Sequence, residues 1–492
     1  RLGVRTTGTT LMARTLRRED ASLQPNLYPM SASTFDAIIL GSGQAGNPLA
    51  VALAQAGRTV ALVEKGQLGG SCINYGCSPV KAMLASAERM HQVATAGAYG
   101  VRSSAPRPNL KAIVARKEEI IGQLRQGVHG NLSEQPGITI VRGHARFQSA
   151  RTVAVEENGR TQMLKAPLIF INTGTRPAIP PIDGLLESGF LTTDDLLQLT
   201  TLPRHLLILG GGYIGLEFGQ MFRRFGSEVT IIEAGPQLLE REDDDVCEAL
   251  KATLEAEGVE IVLDAEVRRV SRNAEGTYTL TARVGSAERR LRGTHLLVAT
   301  GREPNTDDLN LEAAGLQPDE RGYLPVNGQL QTTVRGIYAL GDVHPGPQFT
   351  HLAYDDFRVV RDKLLHRRRR SARQRPLPYV VFTQPQLGRI GLNEQQAQEK
   401  GVPYRVATMP VRFIGRAQEL SLTEGFIKVL VDERQQLLGA TVFCEQGGEI
   451  MSMLQLAMAG GLTCDELQNM VFAHPTWAEA LNNLFRELKK PG

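Results

Sequence analysis

Two copies of one glycine-rich pattern constrain the fold of this chain more than any other feature. Residues 35–66 read FDAIILGSGQAGNPLAVALAQAGRTVALVEKG, and residues 205–235 read HLLILGGGYIGLEFGQMFRRFGSEVTIIEAG. Each copy predicts a buried strand, a glycine turn, an amphipathic helix, a second strand and a terminal glutamate, which is the order of a dinucleotide-binding βαβ unit. One such motif alone would be a weak signal. Two copies, each in the right context, predict an α/β protein that binds two dinucleotides, and a nicotinamide and a flavin are the natural pair.

The glycines and acids of the two units have defined places in such sites. Glycine lets the backbone approach a pyrophosphate, which lies at the N-terminus of the following helix. A carboxylate at the end of the second strand accepts hydrogen bonds from ribose hydroxyl groups. The residues predicted for these places are Gly41, Gly43, Gly46 and Glu64 in the first unit, and Gly210, Gly212, Gly215 and Glu233 in the second.

A close pair of cysteines follows the first unit, in GGSCINYGCSPVK at residues 69–81. Along a regular helix the Cα atoms of Cys72 and Cys77 would lie about 8 Å apart, which is too far for a disulfide. Gly69–Gly70 and Gly76 permit an irregular first turn that would bring the cysteines together. Both sulfur atoms would then lie near a helix N-terminus, where the positive end of the helix dipole lowers a thiol pKa.

Three kinds of site can hold such a cysteine pair. An inert structural disulfide is typical of small, cysteine-dense secreted proteins, whereas this chain has 492 residues and five cysteines. A zinc site would need two further Cys or His ligands at suitable spacing, and His91 is the nearest histidine in the sequence. We favour a redox-active disulfide, because the pair follows a dinucleotide unit by a few residues, and we expect no metal site. The other two interpretations stay open at this point.

Composition argues against several other classes of function. The net charge of +3 is too small to indicate nucleic-acid binding, and no run of eighteen apolar residues predicts a membrane span. Residues 1–33 are rich in Arg and Thr at their start and lack the apolar region of a secretory signal. We expect a disordered or leader-like extension there, and a cytoplasmic protein.

These motifs resemble the pyridine nucleotide–disulfide oxidoreductase family (class I) over about residues 34–488. GGSCINYGCSPVK, GGGYIGLE, ALGD and HPTWAE occur in the family's order. Stretches such as FTHLAYDDFRVV are most similar to the mercuric reductase-like branch, and the chain also resembles dihydrolipoyl dehydrogenase. The resemblance implies two Rossmann-like domains and a C-terminal α+β domain: FAD-binding at 34–180 and 306–375, NAD(P)-binding at 181–305, and dimerisation at 376–492.

The resemblance also implies roles for single residues around the cysteines. Cys77 would lie against the flavin, and Cys72 would be the interchange thiol that meets the substrate. Lys81 would sit by the flavin N5 atom and pair with Glu217. Tyr213 would gate the site where the nicotinamide docks.

His474 would be the acid–base residue, oriented by Glu479. In this family such a pair reaches the disulfide of the other subunit, so the active unit would be a homodimer with shared active sites. The remaining predicted contacts are Gly70, Ser71, Lys81, Thr173, Gly174, Gly341 and Asp342 for FAD, and Tyr213, Ile214, Glu217 and Gly301 for NAD.

The predicted reaction passes electrons from the nicotinamide through FAD to the Cys72–Cys77 disulfide, and then to a disulfide or a soft metal ion. NADH is expected over NADPH, because Glu233 would repel a 2′-phosphate. Typical mercuric reductases resemble this chain but carry a C-terminal cysteine pair, whereas the last cysteine here is Cys464. Dihydrolipoyl dehydrogenase is therefore an alternative. A non-catalytic redox sensor is a further alternative, although the presence of both cysteines and His474 favours an enzyme.

Overall fold

The structure is a computed structural model that describes residues 32–489. The extension predicted at residues 1–33 lies outside the described residues except for its last two positions. Ser33 already belongs to a short strand, β1 (Ser33–Thr34). The described chain contains no helix of the length and apolarity needed to cross a membrane.

The first glycine motif lies in a five-stranded parallel sheet. Its strands are fully buried at the centre: every residue of AIIL at 37–40 has an exposed fraction of 1% or less. Such continuous apolar runs are typical of parallel strands that are covered on both faces. In spatial order the strands are β18 (Ile337–Ala339), β8 (Leu168–Ile171), β2 (Ala37–Leu40), β3 (Val60–Glu64) and β4 (Ile138–Arg142).

Helices and a smaller sheet complete this region. The smaller sheet pairs β1 with β7 (Arg160–Lys165), β6 (Thr152–Glu157) and β5 (His144–Ser149). The helices are α1 (Gly46–Gln55), α2 (Gly70–Asn74), α3 (Cys77–Thr95), α4 (Leu110–Ser133) and α9 (Thr350–Leu365).

The second glycine motif lies in a separate four-stranded parallel sheet, which is flanked by an antiparallel meander. In spatial order the parallel strands are β12 (Glu260–Val262), β11 (Glu228–Ile232), β10 (His205–Leu209) and β16 (His295–Val298). The meander comprises β13 (Ala265–Arg272), β14 (Tyr278–Val284) and β15 (Ala287–Gly293). The helices are α5 (Leu185–Ser188), α6 (Thr193–Leu196), α7 (Tyr213–Phe225) and α8 (Asp244–Ala256).

A two-stranded ribbon joins the two parallel-sheet regions, and its strands directly follow Thr173–Gly174 and Thr300–Gly301. It pairs β9 (Thr175–Pro177) with β17 (Arg302–Pro304) in antiparallel fashion. The chain therefore leaves the first region and returns to it along neighbouring strands, which keeps the two dinucleotide units in a fixed relation.

The C-terminal region is a five-stranded antiparallel sheet with helices packed on it. In spatial order its strands are β19 (Tyr379–Val381), β20 (Gln386–Gly391), β23 (Leu437–Cys444), β22 (Phe426–Val431) and β21 (Arg405–Pro410). Its helices are α10 (Glu394–Glu399), α11 (Gly415–Glu419), α12 (Gly447–Gly460), α13 (Cys464–Asn469) and α14 (Ala480–Leu484). The predicted fold class, two Rossmann-like regions followed by an α+β region, is confirmed.

One hydrophobic core connects the cysteine helix to the second dinucleotide unit. Val80 and Met83 of α3 pack in the same buried cluster as Leu216 and Met221 of α7. Burial of this kind contributes roughly 25 cal/mol per Å² of apolar surface. The packing places the cysteine segment between the two dinucleotide units.

Candidate active site

A cavity of about 350 Å³ begins at the first glycine loop and extends to Cys72. It lies at the carboxyl ends of the parallel strands, which is where open α/β sheets bind their ligands. Gly46 and Lys81 do not line it. The other predicted FAD contacts do: Gly41, Gly43, Glu64, Gly70, Ser71, Thr173, Gly174, Gly341 and Asp342.

The loop that opens the cavity admits only glycine at key positions. Gly41 has a φ of +102°, and a Cβ atom there would lie 2.3 Å from the carbonyl oxygen of Asn172. A Cβ atom at Gly46 would lie 2.4 Å from the Gly41 oxygen. The Gly46 N–H donates to Oδ1 of Asn172 at 2.9 Å. Gly41 thus permits the tight turn and Gly46 the close packing of α1, as in a dinucleotide-binding loop, so the residues present fit a dinucleotide.

Glu64 ends β3 on the wall of the same cavity. Its Oε2 accepts a hydrogen bond from the Ser42 N–H at 2.8 Å, and its Oε1 accepts one from the Gly66 N–H at 2.7 Å. The carboxylate is thereby held at the position expected for a ribose contact.

The two cysteines lie on either side of a break between helices. Cys72 belongs to α2, which ends at Asn74, and Cys77 is the first residue of α3. Gly69 and Gly70 adopt left-handed φ values of +106° and +66°. The irregular turn predicted from the glycines is confirmed. Both cysteines are free thiols, and the redox-active disulfide between them stays a prediction.

The two sulfur groups are polarised in opposite directions. The hydrogen bond from Cys72 lowers the pKa of Cys77 to about 6 against the effect of burial, and Thr350 and Lys81 lower it further. The same hydrogen bond, together with burial, raises the pKa of Cys72. The Cys77 Sγ lies 3.4 Å from the Thr350 Oγ1. At neutral pH this arrangement favours a thiolate at Cys77 and a thiol at Cys72.

Lys81 and Glu217 form the ion pair that the resemblance implies. The Lys81 Nζ donates to Glu217 Oε2 at 2.7 Å, and the exposed fractions of the two side chains are 31% and 4%. One turn of helix separates Lys81 from Cys77 on α3, so the ammonium group lies close enough to act on the thiolate.

The second glycine loop leaves space at the N-terminus of α7. A Cβ atom at Gly210 would lie 2.4 Å from the Ala299 oxygen, whereas one at Gly212 would meet no atom within 4 Å. Glu233 follows β11, and its Oε2 accepts a hydrogen bond from the Gly211 N–H at 2.6 Å. Open space and a carboxylate at this helix N-terminus fit a second dinucleotide.

The other residues predicted for the nicotinamide side lie around this loop. A Cβ atom at Gly215 would lie 2.1 Å from the Gly210 oxygen, and Gly301 faces open space at a φ of +133°. Tyr213 begins α7, its ring centroid lies 5.9 Å from that of Phe349, and burial raises its pKa to about 12. The neighbouring Ile214 packs against the core that contains α7.

His474 and Glu479 form a pair that lies apart from the cavity. The His474 Nδ1 lies 3.0 Å from Glu479 Oε1, and the His474 side chain is 75% exposed. The Thr476 N–H and His474 hold the pKa of Glu479 below its ordinary value. Within the single chain neither residue lines the cavity beside Cys72.

Sequence reasoning missed several residues of the site. Asn172 supports the glycine loop through Gly46 and donates to the Leu340 oxygen at 2.9 Å. Thr350 contacts Cys77, and the Phe382 N–H donates to Glu217 at 3.0 Å. Asn172 directly follows the apolar strand in LIFINTGTRP at residues 168–177, so this local pattern could have indicated it. No local pattern indicates the other two.

Residues 32–489 contain no group of three or more His, Cys, Asp or Glu side chains placed to hold a metal ion.

Comparison with known proteins defines the family. The profile described as pyridine nucleotide-disulphide oxidoreductase matches residues 35–356, and that of the family's dimerisation domain matches residues 377–485. The chain belongs to the pyridine nucleotide-disulphide oxidoreductase family. As a member it is a FAD-dependent oxidoreductase that uses a pyridine nucleotide, and the resemblance drawn from the motifs is confirmed.

Several relatives cover nearly the whole chain. The probable pyridine nucleotide-disulfide oxidoreductase RclA of Escherichia coli is 39% identical over 92% of this chain and 99% of its own length. The mercuric reductase of Streptomyces lividans is 36% identical over 91% of this chain and 94% of its own. The dihydrolipoyl dehydrogenase of Thermus scotoductus is 35% identical over 93% and 98%.

Solved structures agree with the fold. A Cu(II) complex of the HOCl-induced flavoprotein disulfide reductase RclA from Escherichia coli has a TM-score of 0.84 and 38% identity, over 92% of this chain and 99% of that one. A second structure, of the HOCl-induced flavoprotein disulfide reductase RclA from Escherichia coli, has a TM-score of 0.82 and 39% identity over 92% of this chain and 99% of that one.

Proposed function

We propose that this protein transfers electrons from NADH to a soft or borderline metal ion through the Cys72–Cys77 pair. The observation that carries the proposal is the opposite polarisation of the two sulfur groups at the end of the dinucleotide cavity. Cys72 lines that cavity, and Cys77, which does not line it, contacts Thr350 on its wall. A pair in which one member is a thiolate and the other a thiol is suited to exchange between an internal electron source and an external acceptor.

The residues along the cavity would hold FAD. The glycine loop from Gly41 would receive the pyrophosphate, and Glu64 the adenosine ribose. Bound there, FAD would supply a ring that takes two electrons from the nicotinamide and delivers them to the sulfur pair. Cys77 would face the ring, and the Lys81 ammonium would stabilise negative charge beside it. We take the FAD-binding region as 34–180 and 306–375, the nicotinamide region as 181–305, and the dimerisation region as 376–492.

The preference for NADH rests on Glu233. Its carboxylate is fixed by the Gly211 and Gly235 N–H groups at the second loop. A 2′-phosphate about 4 Å away would be repelled by about 4 kcal/mol at an effective dielectric constant near 20. That repulsion would disfavour NADPH.

Cys72 would meet the acceptor. Its raised pKa means that a base must remove its proton before it can bind a metal ion or attack a disulfide. The partner subunit's His474 would be that base, held by Glu479, in a homodimer with shared active sites. A cysteine pair that must be reduced again in each turnover suits a reducing compartment such as the cytoplasm.

A metal ion is favoured as the acceptor because the relative RclA has been solved as a Cu(II) complex and thiolates prefer soft metals. Mercuric ion is a less suitable substrate, since the other three cysteines of residues 32–489 are each 4% exposed or less and could not deliver the ion: Cys247, Cys444 and Cys464. Reduction of a small disulfide such as lipoamide is the second candidate, because the Thermus scotoductus dihydrolipoyl dehydrogenase covers the chain.

The test is an NADH-oxidation panel on the purified FAD-loaded protein with Cu(II), Hg(II), lipoamide and oxidised glutathione, run with NADH and NADPH. We expect Cu(II) to give the highest kcat/KM and NADH to exceed NADPH. Cys72→Ala should lose activity by roughly 10³-fold or more, because the interchange thiol is a covalent or ligating participant. A Cys464→Ala variant serves as the matched control and should retain activity. Full activity of Cys72→Ala with every acceptor would refute the proposed route.

A further inference from the structure

The Glu217 carboxylate is held by two groups from different parts of the chain. Its Oε2 accepts from Lys81 at 2.7 Å, and its Oε1 accepts from the Phe382 backbone N–H at 3.0 Å. Glu217 is 3% exposed. A carboxylate buried to this degree needs both oxygens satisfied, because an unmet hydrogen bond at a buried charge is costly.

The Phe382 side chain acts on the other member of the same ion pair. The Lys81 Nζ lies 4.5 Å from the centroid of the Phe382 ring, well within the range of a cation–π contact. The lysine side chain is 31% exposed, so water would otherwise compete for the ammonium group. The ring covers one side of the ammonium and restricts the rotamers of the long lysine side chain.

The segment that carries Phe382 is fixed against α7. The Gln220 Nε2 donates to the Gln384 oxygen at 2.8 Å, and the Gln384 N–H donates back to Gln220 Oε1 at 2.8 Å. Arg224 donates to the Gln384 Oε1 at 2.5 Å. Glu217, Gln220 and Arg224 lie three to four residues apart, which places them on one face of the helix. The C-terminal region therefore sets where Phe382 sits relative to Lys81.

We propose that Phe382 is a positioning residue for Lys81. The Phe382 backbone amide orients Glu217, and the Phe382 ring holds the Lys81 ammonium group over α3, on the side of the cysteines. This inference rests on the function proposed for Lys81 above. The Lys81 charge contributes to the low pKa of Cys77, so a displaced ammonium group would weaken the thiolate as well as slow electron transfer.

The experiment compares Phe382→Leu with Phe382→Tyr, since both keep the backbone N–H and only tyrosine keeps an aromatic face. Two experiments are made on each variant. The first measures kcat and KM for NADH with the preferred acceptor. The second measures the rate of Cys77 alkylation against pH in the reduced protein, with peptide mapping to confirm that Cys77 is the alkylated residue. We expect Phe382→Leu to lower kcat about fivefold with KM unchanged. Alkylation at pH 6 should slow by about twofold or more, and Phe382→Tyr should restore both. Phe382→Met replaces the leucine variant if that one does not fold.

Lys81→Met separates a failure of this inference from a failure of the proposed function. If Lys81→Met leaves both kcat and the alkylation profile at wild-type values, the role proposed for Lys81 is wrong. If Lys81→Met impairs them while Phe382→Leu does not, or if Phe382→Tyr fails as Phe382→Leu does, the positioning role is wrong. Adding Phe382→Leu to Lys81→Met should cause no further loss, because both changes act through one interaction.

Discussion

At the residue scale, the chemistry depends on which sulfur carries the negative charge. Cys77 begins α3 and also contacts Thr350, the first residue of α9. The sulfur therefore lies at the N-terminus of α3 and beside a side chain from the N-terminus of α9, and the positive end of a helix dipole favours a thiolate. Thr350 and Lys81 also lower the pKa of Cys72. The asymmetry of the pair therefore follows chiefly from the hydrogen bond that Cys72 donates to Cys77.

Replacing Thr350 tests this account of the thiolate. Thr350→Val keeps the shape of the side chain but removes its hydroxyl, so the pKa of Cys77 should rise from about 6 by about one unit, the effect of losing one hydrogen bond to a charged group. Ultraviolet titration of the thiolate in the reduced protein would measure the change. Thr350→Ser keeps a hydroxyl and should titrate as the wild type does. If the titration of Thr350→Val is the same as that of the wild type, the low pKa of Cys77 is caused by its other neighbours and not by Thr350.

At the scale of secondary-structure elements, the sequence could predict what depends on local pattern. The glycine motifs predicted both βαβ units, and Gly69, Gly70 and Gly76 predicted the break beside the cysteines. The Lys81–Glu217 pair spans 136 positions, and only the family resemblance could indicate it. Contacts formed by the packing of distant elements leave no such pattern. The Thr350–Cys77 contact spans 273 positions and the Phe382–Glu217 contact spans 165.

A buried charged junction joins the start of α8 to the C-terminal sheet. The Lys428 Nζ contacts Asp243 at 2.7 Å, and the Arg389 Nε lies 3.8 Å from Glu242 Oε2. Glu242 is 2% exposed, and neither of its carboxylate oxygens has a hydrogen-bond partner. Burial raises the pKa of Glu242 to about 7, with Asp243 and Asp245 adding to the effect and Arg389 and Lys428 opposing it.

This junction predicts a pH-dependent stability. Between pH 4.5 and about 7 Glu242 is protonated in the folded protein and ionised in the unfolded chain, so its contribution to stability falls as the pH rises through that window. Glu242→Gln cannot ionise. It should match the wild type near pH 5 and exceed it near pH 8, by up to about 3 kcal/mol.

Urea denaturation midpoints at both pH values would measure this difference. Glu240→Gln, at an exposed position of the same loop, is the matched control and should shift neither midpoint. A Glu242→Gln variant that is less stable than the wild type at pH 8 would mean that Glu242 is ionised and paired with Arg389 in the folded protein.

At the scale of the whole molecule, the C-terminal region exposes large apolar side chains and the His474–Glu479 pair on its surface. Val471 is 95% exposed and Leu456 is 73% exposed, and burial of such large apolar side chains against a partner would be favourable. His474, three residues after Val471, pairs with Glu479 and does not line the cavity beside Cys72. In the homodimer proposed above, which the dimerisation-domain match over residues 377–485 supports, a partner would cover the apolar side chains and bring its cysteine pair to His474.

Mixed dimers give a direct test of shared sites. Cys72→Ala and His474→Ala homodimers should each be nearly inactive, because every site lacks one of the two groups. A heterodimer of the two variants, purified through different tags, would contain one site with both changes and one with neither. In a symmetric dimer that uses His474 across the interface, it should recover about half of the wild-type kcat. If His474 acted on the cysteines of its own chain, both sites of the heterodimer would be defective and no activity would return, so the recovered fraction distinguishes the two arrangements without any structural measurement.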